Sequence, residues 1–356
     1  EGKFFVWTED EIDDALGEES ALFKEAFGIT ASGNFEGHNI LTSEAAASAL
    51  AAKYGQSEAV IAGRLAAGRA ALFALRERRV HPGRDDKVLA SWNGLMLAAF
   101  AEAAGALGRD DYRRAAVANA GFILSTLRAP DGSLLRTWRQ GRAHLMGYLE
   151  DYANVAEGLL ALYETTFDPQ YFVAARELMD HALDHFADPQ GGFFDTSDQH
   201  EQLVTRPKDI QDNATPSGSA MAVTVLLRLA AFTGESRYTD AAEAQLRALQ
   251  PILGQHPTGF GQWLTALAFS LGQPREIALV AEPAEAGPLL EVVFRPYRPF
   301  KVVALKRPGE ESPVPLLAGR EALDGRPTAA VCYNFTCRLP VTEPEALKAQ
   351  LETAPE

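Results

Sequence analysis

The sequence is poor in basic residues and cysteine and has no long hydrophobic run, and each shortage excludes a class of protein. Its 356 residues include 33 lysines and arginines against 48 aspartates and glutamates, which gives a net charge of −15. A nucleic-acid binder needs a basic face, and an anionic membrane surface repels an acidic chain. No stretch approaches the roughly 18 consecutive apolar residues of a transmembrane helix. We therefore predict neither a nucleic-acid partner nor a membrane partner.

The chain has only two cysteines, Cys332 and Cys337. Their spacing differs from the C-x-x-C of redox motifs, and no second pair completes a zinc site. We interpret them as ordinary thiols on neighbouring strand positions, in agreement with a cytoplasmic location. The motifs of phosphate-binding loops, dinucleotide-binding turns, zinc proteases and serine hydrolases are also absent, and we predict no cofactor and no metal.

The sequence does contain an internal repeat of amphipathic helices. A Y-x-x-A-A pattern begins at Tyr112, Tyr171 and Tyr238, and apolar residues then recur with the 3.6-residue period of a helix that is buried on one side. A helix that is apolar on most faces precedes each pattern, and short polar turns join the two. The repeating unit is therefore predicted to be a hairpin of a buried inner helix and an amphipathic outer helix. The predicted inner helices span about 92–107, 150–166 and 217–233.

Helical hairpins that recur about every 60 residues predict a mainly α protein, a partial (α/α)6 toroid over residues 1–273. Six hairpins close such a ring, and the sequence shows three clear hairpins and a fourth inner helix near 262–271. After Pro274 the pattern changes. Residues 276–280 and 301–305 are predicted to form buried strands, so 274–356 is expected to be a small α/β appendage.

Three acidic segments, 85–94, 147–152 and 206–219, lie where the predicted inner helices begin. In a toroid these starts converge on one cavity, which would bring Asp86, Asp151 and Asp212 together as acid/base candidates. Paired carboxyl groups are the groups that protonate a leaving oxygen and activate water in sugar chemistry.

Neighbouring side chains predict a carbohydrate-binding set around these acids. Aromatic rings stack on sugar rings, and Trp92, Trp138 and Tyr152 are predicted to form that platform. The remaining candidates would bind hydroxyl or anionic groups of the substrate, and they are Asn93, Glu150, Arg206, Lys208 and Ser217.

Helix capping is the alternative explanation for many of these polar residues. Ser, Thr and Asp are preferred N-caps, and acidic residues in a first turn interact favourably with the helix dipole. Capping does not explain why Trp92 and Asn93 enter an otherwise apolar helix, so both explanations stay open. The residues suited to capping are Ser91, Glu150, Asp151, Asp212 and Thr215.

Histidine adds few candidates. His181 and His185 have the i, i+4 spacing of a metal pair, but the sequence offers no obvious third ligand. His81 and His144 lie close to acidic segments along the chain and are further candidates for proton transfer.

The stretch from Asp85 to Met96, DDKVLASWNGLM, resembles a signature of the spermatogenesis-associated, thioredoxin domain-containing family. The resemblance implies an N-terminal thioredoxin-like domain followed by a six-hairpin glycosidase-like toroid similar to sugar 2-epimerases. This chain has no thioredoxin-like segment and starts without methionine, so we expect it to begin inside the toroid of a longer protein. Shorter matching stretches follow the family order at 1–8, 33–37, 149–153, 191–194 and 214–218.

The sequence and the resemblance together predict a domain that processes or binds a sugar or a sugar-derived small molecule. If it is an enzyme, it is expected to be glycosidase- or epimerase-like. The alternative is a non-catalytic scaffold that accompanies a thioredoxin-like redox domain. A third hypothesis is an open ring whose exposed inner helices drive self-association.

Overall fold

The computed structural model describes residues 2–201 and 204–353. Packing separates two units, Glu1–Asp85 and Asp86–Glu356. The boundary predicted at residue 273 is a different division and stays a prediction.

The first unit is a small helical structure with its own hydrophobic core. Thr8 and Glu11 form a capping box at the start of its first helix, with N–H to oxygen distances of 2.9 and 3.2 Å. The core is centred on Ile12, Phe23 and Ile61. The four helices are α1 (Glu9–Leu16), α2 (Ser20–Phe27), α3 (Ala47–Tyr54) and α4 (Glu58–Arg76).

The helical part of the second unit consists of hairpins, as predicted. Inner helices α5, α7, α9 and α11 pack side by side in chain order, and outer helices α6, α8 and α10 pack on α5, α7 and α9. The predicted starts and ends of the first three inner helices are confirmed to within two residues. The helices are α5 (Ala90–Leu107), α6 (Asp110–Phe122), α7 (Leu149–Thr166), α8 (Pro169–His185), α9 (Gly218–Thr233), α10 (Ser236–Gln255) and α11 (Gly261–Leu271).

Glycine permits the close approach of α5 and α7. A Cβ atom on Gly94 would lie 2.5 Å from the backbone of Asn154 and Val155, and one on Gly158 would lie 2.7 Å from the carbonyl oxygen of Gly94. The two backbones are therefore in direct contact, which explains why a buried inner helix carries residues that helices otherwise disfavour.

A three-stranded antiparallel sheet lies beside the start of α5. It has the order β1-β2-β3, with β1 (Val88–Leu89), β2 (Leu135–Arg139) and β3 (Arg142–Met146). The hairpin β2–β3 forms the excursion between α6 and α7, and β1 joins the segment before α5 to it.

The C-terminal part is an α/β structure built on a four-stranded sheet of order β5-β4-β6-β7. One face contributes Ala278, Val302 and Ala304 to the core of the hairpins, and the other packs on two helices. The fold class is therefore the predicted one, a partial α/α toroid with a small α/β appendage. The elements are β4 (Arg275–Val280), α12 (Gly287–Phe294), β5 (Lys301–Lys306), β6 (Thr328–Tyr333), β7 (Thr336–Cys337) and α13 (Pro344–Glu352).

The interpretation of the cysteines as free thiols is wrong. Cys332 and Cys337 face each other across β6 and β7 and form a disulfide. Asn334 and Phe335, both with positive φ, close the tight turn that sets this register. Neither turn residue is glycine, so the sequence pattern did not reveal the turn.

Within the described residues, no helix combines the length and the hydropathy needed to cross a bilayer. The cytoplasmic location stays a prediction.

Candidate functional site

The acidic segments lie at one end of the helical layer of the second unit. The inner helices α5, α7, α9 and α11 run parallel, because an antiparallel outer helix separates each from the next. The starts of α7 and α9 are so close that a Cβ atom on Gly218 would lie 2.8 Å from the backbone nitrogen of Glu150. Hydrogen bonds join the other neighbouring starts.

Asp151 joins the starts of α5 and α7. Its carboxylate accepts hydrogen bonds from the backbone N–H groups of Ser91 and Tyr148, each at 2.9 Å, and Arg136 lies 2.9 Å from it. The side chain is fully buried. Burial raises the pKa of Asp151 to about 6, against the opposing effects of Arg136 and the two N–H donors.

Asp212 makes the equivalent connection between α9 and α11. One carboxylate oxygen accepts the N–H of Ser217 at 2.9 Å, and the other accepts the N–H of Gln262 at 2.7 Å. The hydroxyl of Ser217 caps α9 by accepting the N–H of Ala220 at 3.2 Å. Asp151 and Asp212 thus make the helix-end contacts that the capping hypothesis predicts, while a catalytic role for either stays a prediction.

The predicted N-caps at Ser91 and Thr215 do not form. Leu89 occupies the N-cap position of α5, and Ser217 occupies that of α9. The physical reason at α5 is that Asp151, distant in the chain, supplies the acceptor for an N–H of the first turn.

Asp86 and Glu150 reach solvent, and each binds an arginine. The Asp86 side chain is 38% exposed and lies 2.6 Å from Arg139. That of Glu150 is 30% exposed and lies 2.8 Å from Arg136, which therefore bridges it to Asp151. The guanidinium of Arg136 also lies 4.4 Å from the ring centre of Tyr148.

The three predicted platform aromatics differ in access. Trp92 is 63% exposed, although it follows a buried residue on α5. Trp138 is half-buried against Phe122, with ring centres 5.7 Å apart. Tyr152 is buried, and its hydroxyl accepts the N–H of Leu134 at 2.8 Å.

We use the name acidic end for four accessible side chains of the segments that lead into α5 and α7, and they are Asp86, Trp92, Tyr148 and Glu150. Tyr148, at the N-cap of α7, was not among the predicted site residues. Its position two residues before Glu150 is the signal that could have identified it.

Asn93 and the two predicted cations bind the protein itself. The Asn93 amide donates to the Leu89 carbonyl at 2.8 Å. Arg206 donates to the Thr196 carbonyl and lies 4.0 Å from the ring centre of Phe194. Lys208 is paired with Asp188 and donates to the Gly191 carbonyl at 2.7 Å. These contacts order the loop before α9, and a substrate-binding role for these residues and for the buried Ser217 stays a prediction.

Asp195 is a further carboxyl group that the sequence argument missed. Its backbone carbonyl accepts the N–H of Leu149 at 2.9 Å, so it lies beside the start of α7. Burial raises the pKa of the Asp195 carboxyl, and the negative charges of Asp209 and Glu150 add to the effect. It directly follows the Gly-Gly-Phe-Phe stretch at 191–194.

A buried network of ion pairs joins α7 and α9 farther from their starts. Arg228 of α9 pairs with Glu157 and with Glu164 of α7, the latter at 2.7 Å. The second oxygen of Glu164 accepts the N–H of Val303 on β5 at 2.8 Å. Arg228 is the one arginine in the apolar sequence of α9, and this was the feature of the sequence that could have indicated the network. The network connects the hairpins to the C-terminal sheet.

The histidines divide between the two units. His181 stacks on Tyr152 with ring centres 5.0 Å apart, and His185 lies 2.9 Å from Asp198. Across the described ranges, no group of three or more metal-binding side chains is placed to hold an ion. His144 is exposed on β3 beside Thr137, whereas His81 lies in the first unit.

The parallel inner helices, the outer helices and the acidic end define a mainly α protein of the partial α/α-toroid class. No family model matches the chain. Spermatogenesis-associated protein 20 of Homo sapiens is 30% identical over 99% of this chain and 49% of its own length, and the Mus musculus protein is 29% identical over the same shares. The chain is thus a relative of spermatogenesis-associated protein 20 along nearly all of its own length, which confirms the resemblance. It spans about half the length of these curated relatives.

Solved structures with detectable likeness include sugar-modifying enzymes. Cellobiose 2-epimerase from Spirochaeta thermophila is 17% identical, with 46% of this chain and 43% of that chain covered and a TM-score of 0.39. Unsaturated glucuronyl hydrolase from Bacillus sp. GL1 is 20% identical, with 55% and 59% covered and a TM-score of 0.39. The GH76 α-mannanase of Bacteroides thetaiotaomicron is 14% identical, with 70% and 73% covered and a TM-score of 0.40.

Proposed function

We propose that the acidic end binds a carbohydrate or a sugar-derived small molecule. The observation that carries the proposal is the exposed indole of Trp92, one residue along α5 from the Ser91–Asp151 hydrogen bond that joins the starts of α5 and α7. Trp92 and Met96, which is 52% exposed, lie one turn apart on the open face of α5, so the indole offers apolar surface that a ligand can cover. A sugar ring offers an apolar face for the indole and hydroxyl groups for the carboxylates.

In this proposal the acids have two different roles. Asp86 and Glu150 reach solvent, so they can exchange protons with a sugar oxygen or carbon. Asp151 and Asp212 hold the helix starts in place, and Asp151 acts on the ligand through Arg136. A carboxyl pair that serves as acid and base is the requirement of most glycosidase chemistry.

Isothermal titration calorimetry tests the proposal against a panel of neutral disaccharides, uronic acids and amino sugars. We expect at least one member to bind the wild-type protein and the Trp92→Ala variant to bind it about tenfold more weakly, a loss of about 1.4 kcal/mol. Tyr297→Ala is the matched control, because Tyr297 is 91% exposed and lies beyond the helical hairpins along the chain. Equal affinity of wild-type and Trp92→Ala proteins would refute this binding mode.

The second candidate function is a non-catalytic scaffold. It is favoured by Asp151 and Asp212, since each uses both carboxylate oxygens to bind backbone N–H groups. On the scaffold hypothesis, no sugar of the panel binds, and Glu150→Gln therefore leaves the binding results unchanged. Replacement of Asp151 would then act on stability alone.

A further inference from the structure

A row of three side chains crosses the C-terminal sheet away from the acidic end. Glu276 of β4 lies opposite Cys332 of β6, and Cys332 lies opposite Cys337 of β7. Directly opposed residues in antiparallel strands share a face, so the carboxyl group and the disulfide lie on the same side of the sheet.

The two cysteine residues differ in exposure to solvent. Cys332 is completely buried, whereas Cys337 is exposed on the last strand of the sheet. A cleft of about 380 Å³ opens beside Cys337, with Pro274 and Tyr333 among its walls. An approaching thiol can therefore reach one sulfur and not the other.

A cation contacts both sulfurs. Nη2 of Arg320 lies 3.1 Å from the sulfur of Cys332 and 3.0 Å from that of Cys337. Its Nε donates to the Leu316 carbonyl at 2.6 Å, which fixes the guanidinium in this place. A guanidinium beside a sulfur favours the thiolate over the thiol, and a stabilised thiolate is the better leaving group in disulfide exchange.

The turn between the two cysteines is held by the buried carboxyl group. The N–H of Phe335 donates to Glu276 at 2.8 Å, while Asn334 and Phe335 have φ values of 47° and 59°. A bulky residue at positive φ is strained, and strained turns of this kind are frequent at functional sites. Burial raises the pKa of Glu276 to about 7, so a carboxyl group that is partly protonated at neutral pH lies behind the disulfide.

We propose that Cys332 and Cys337 form a thiol–disulfide exchange site whose partner is a protein dithiol. A thiolate of the partner attacks the Cys337 sulfur, a mixed disulfide forms there, and Cys332 leaves as a thiolate beside Arg320. The second partner thiol attacks the partner's own sulfur in that mixed disulfide and releases Cys337. The partner dithiol is oxidised to a disulfide, this chain gains two electrons, and the two protons lost by the partner are matched by two taken up at Cys332 and Cys337.

Thiol labelling of the whole chain tests the proposal, because its only cysteines are these two. The native protein is treated with dithiothreitol, alkylated with a maleimide and weighed by mass spectrometry. We expect no label before reduction, two labels after reduction without denaturant, and no label when dithiothreitol is removed and oxidised glutathione re-forms the disulfide before alkylation. A disulfide that dithiothreitol reduces only in urea would be structural, and that result would overturn the proposal.

Single-cysteine variants locate the attacked sulfur. Cys332→Ser keeps the exposed sulfur and is expected to form a mixed disulfide with oxidised glutathione at least tenfold faster than Cys337→Ser. Arg320→Gln added to Cys332→Ser should slow this reaction severalfold, and Arg320→Lys should restore part of the rate. Equal rates for the two cysteine variants, with native circular dichroism for both, would contradict the proposed direction of attack.

Discussion

At the residue scale, Asp151 and Asp212 show that a carboxylate which the sequence suggests for catalysis can also bind the free N–H groups at helix starts. Each carboxylate has two oxygens, and each oxygen accepts an N–H group that a helix start leaves without a partner. An aspartate is effective in this position because its negative charge also interacts favourably with two helix dipoles. Its partners come from segments that are distant along the chain, and a single sequence does not reveal them.

Asp151→Ala is expected to lower the free energy of unfolding by about 3 kcal/mol, because it leaves the N–H groups of Ser91 and Tyr148 without their acceptor and removes one of the two carboxylates that bind Arg136. Urea denaturation measures this change. Asp86→Ala is the matched control and should cost less than about 1 kcal/mol, since the pair of Asp86 with Arg139 is exposed. Equal losses in the two variants would show that the buried contacts of Asp151 do not stabilise the fold.

Glu276 gives the second residue-scale prediction, a pH dependence. Its folded pKa of about 7 lies above the value of a free glutamate, so the folded state holds the proton more tightly. The contribution of Glu276 to stability is therefore present at about pH 4 and is lost as the pH rises through about 7. Wild-type protein should lose on the order of 3 kcal/mol more than Glu276→Gln between pH 4 and 8 in urea titrations. Equal changes in the free energy of unfolding of the wild-type protein and Glu276→Gln between pH 4 and 8 would contradict this.

At the scale of elements, the hairpin repeat was predictable because its signal is strong and local. Apolar residues with a 3.6-residue period and short polar turns predicted the inner helices α5, α7 and α9 to within two residues. The disulfide and the network around Arg228 were not predictable in the same way. Both depend on which strands and helices become neighbours, and the β6–β7 turn uses Phe335 where a pattern search expects glycine.

Because α5 and α7 are in close contact, we expect alanine to have opposite effects on stability at two glycine positions. Gly158→Ala should destabilise the protein by about 2 kcal/mol, because the new Cβ would lie 2.7 Å from the Gly94 carbonyl oxygen and 2.9 Å from Leu97. Gly105→Ala on α5 should stabilise it by about 0.5–1 kcal/mol, since its Cβ would meet nothing nearer than 3.9 Å. Thermal and urea unfolding of both variants measure the difference. Destabilisation of equal size at both positions would contradict the close approach.

At the scale of the whole molecule, the chain contains two units with separate hydrophobic cores. The segment 80–87 between them has no helix or strand, and Val80 is 94% exposed. Limited trypsin digestion is expected to cut after Arg84, and the fragment that begins at Asp85 should remain folded. Mass spectrometry and circular dichroism identify the fragment and its helicity. A first cut inside a helix of the second unit would contradict the division.

The fold class was predictable from the sequence, whereas the contacts of the polar side chains at the inner-helix starts were not. Tyr152, predicted as a sugar platform, is buried with its hydroxyl bonded, whereas Trp92 is open. Burial of individual side chains depends on the packing of neighbouring hairpins, so a helical pattern predicts which face is apolar but not which polar end is covered.

Tryptophan fluorescence during a sugar titration is the most direct measurement of the central claim, that the acidic end binds a carbohydrate through Trp92. Trp7 and Trp263 are buried and Trp138 is half-buried, so Trp92 is the indole most open to a ligand. The account predicts that a panel sugar shifts the emission of the wild-type protein and that the shift disappears in Trp92→Phe. A sugar that binds by calorimetry and gives the same emission shift in Trp92→Phe would contradict it.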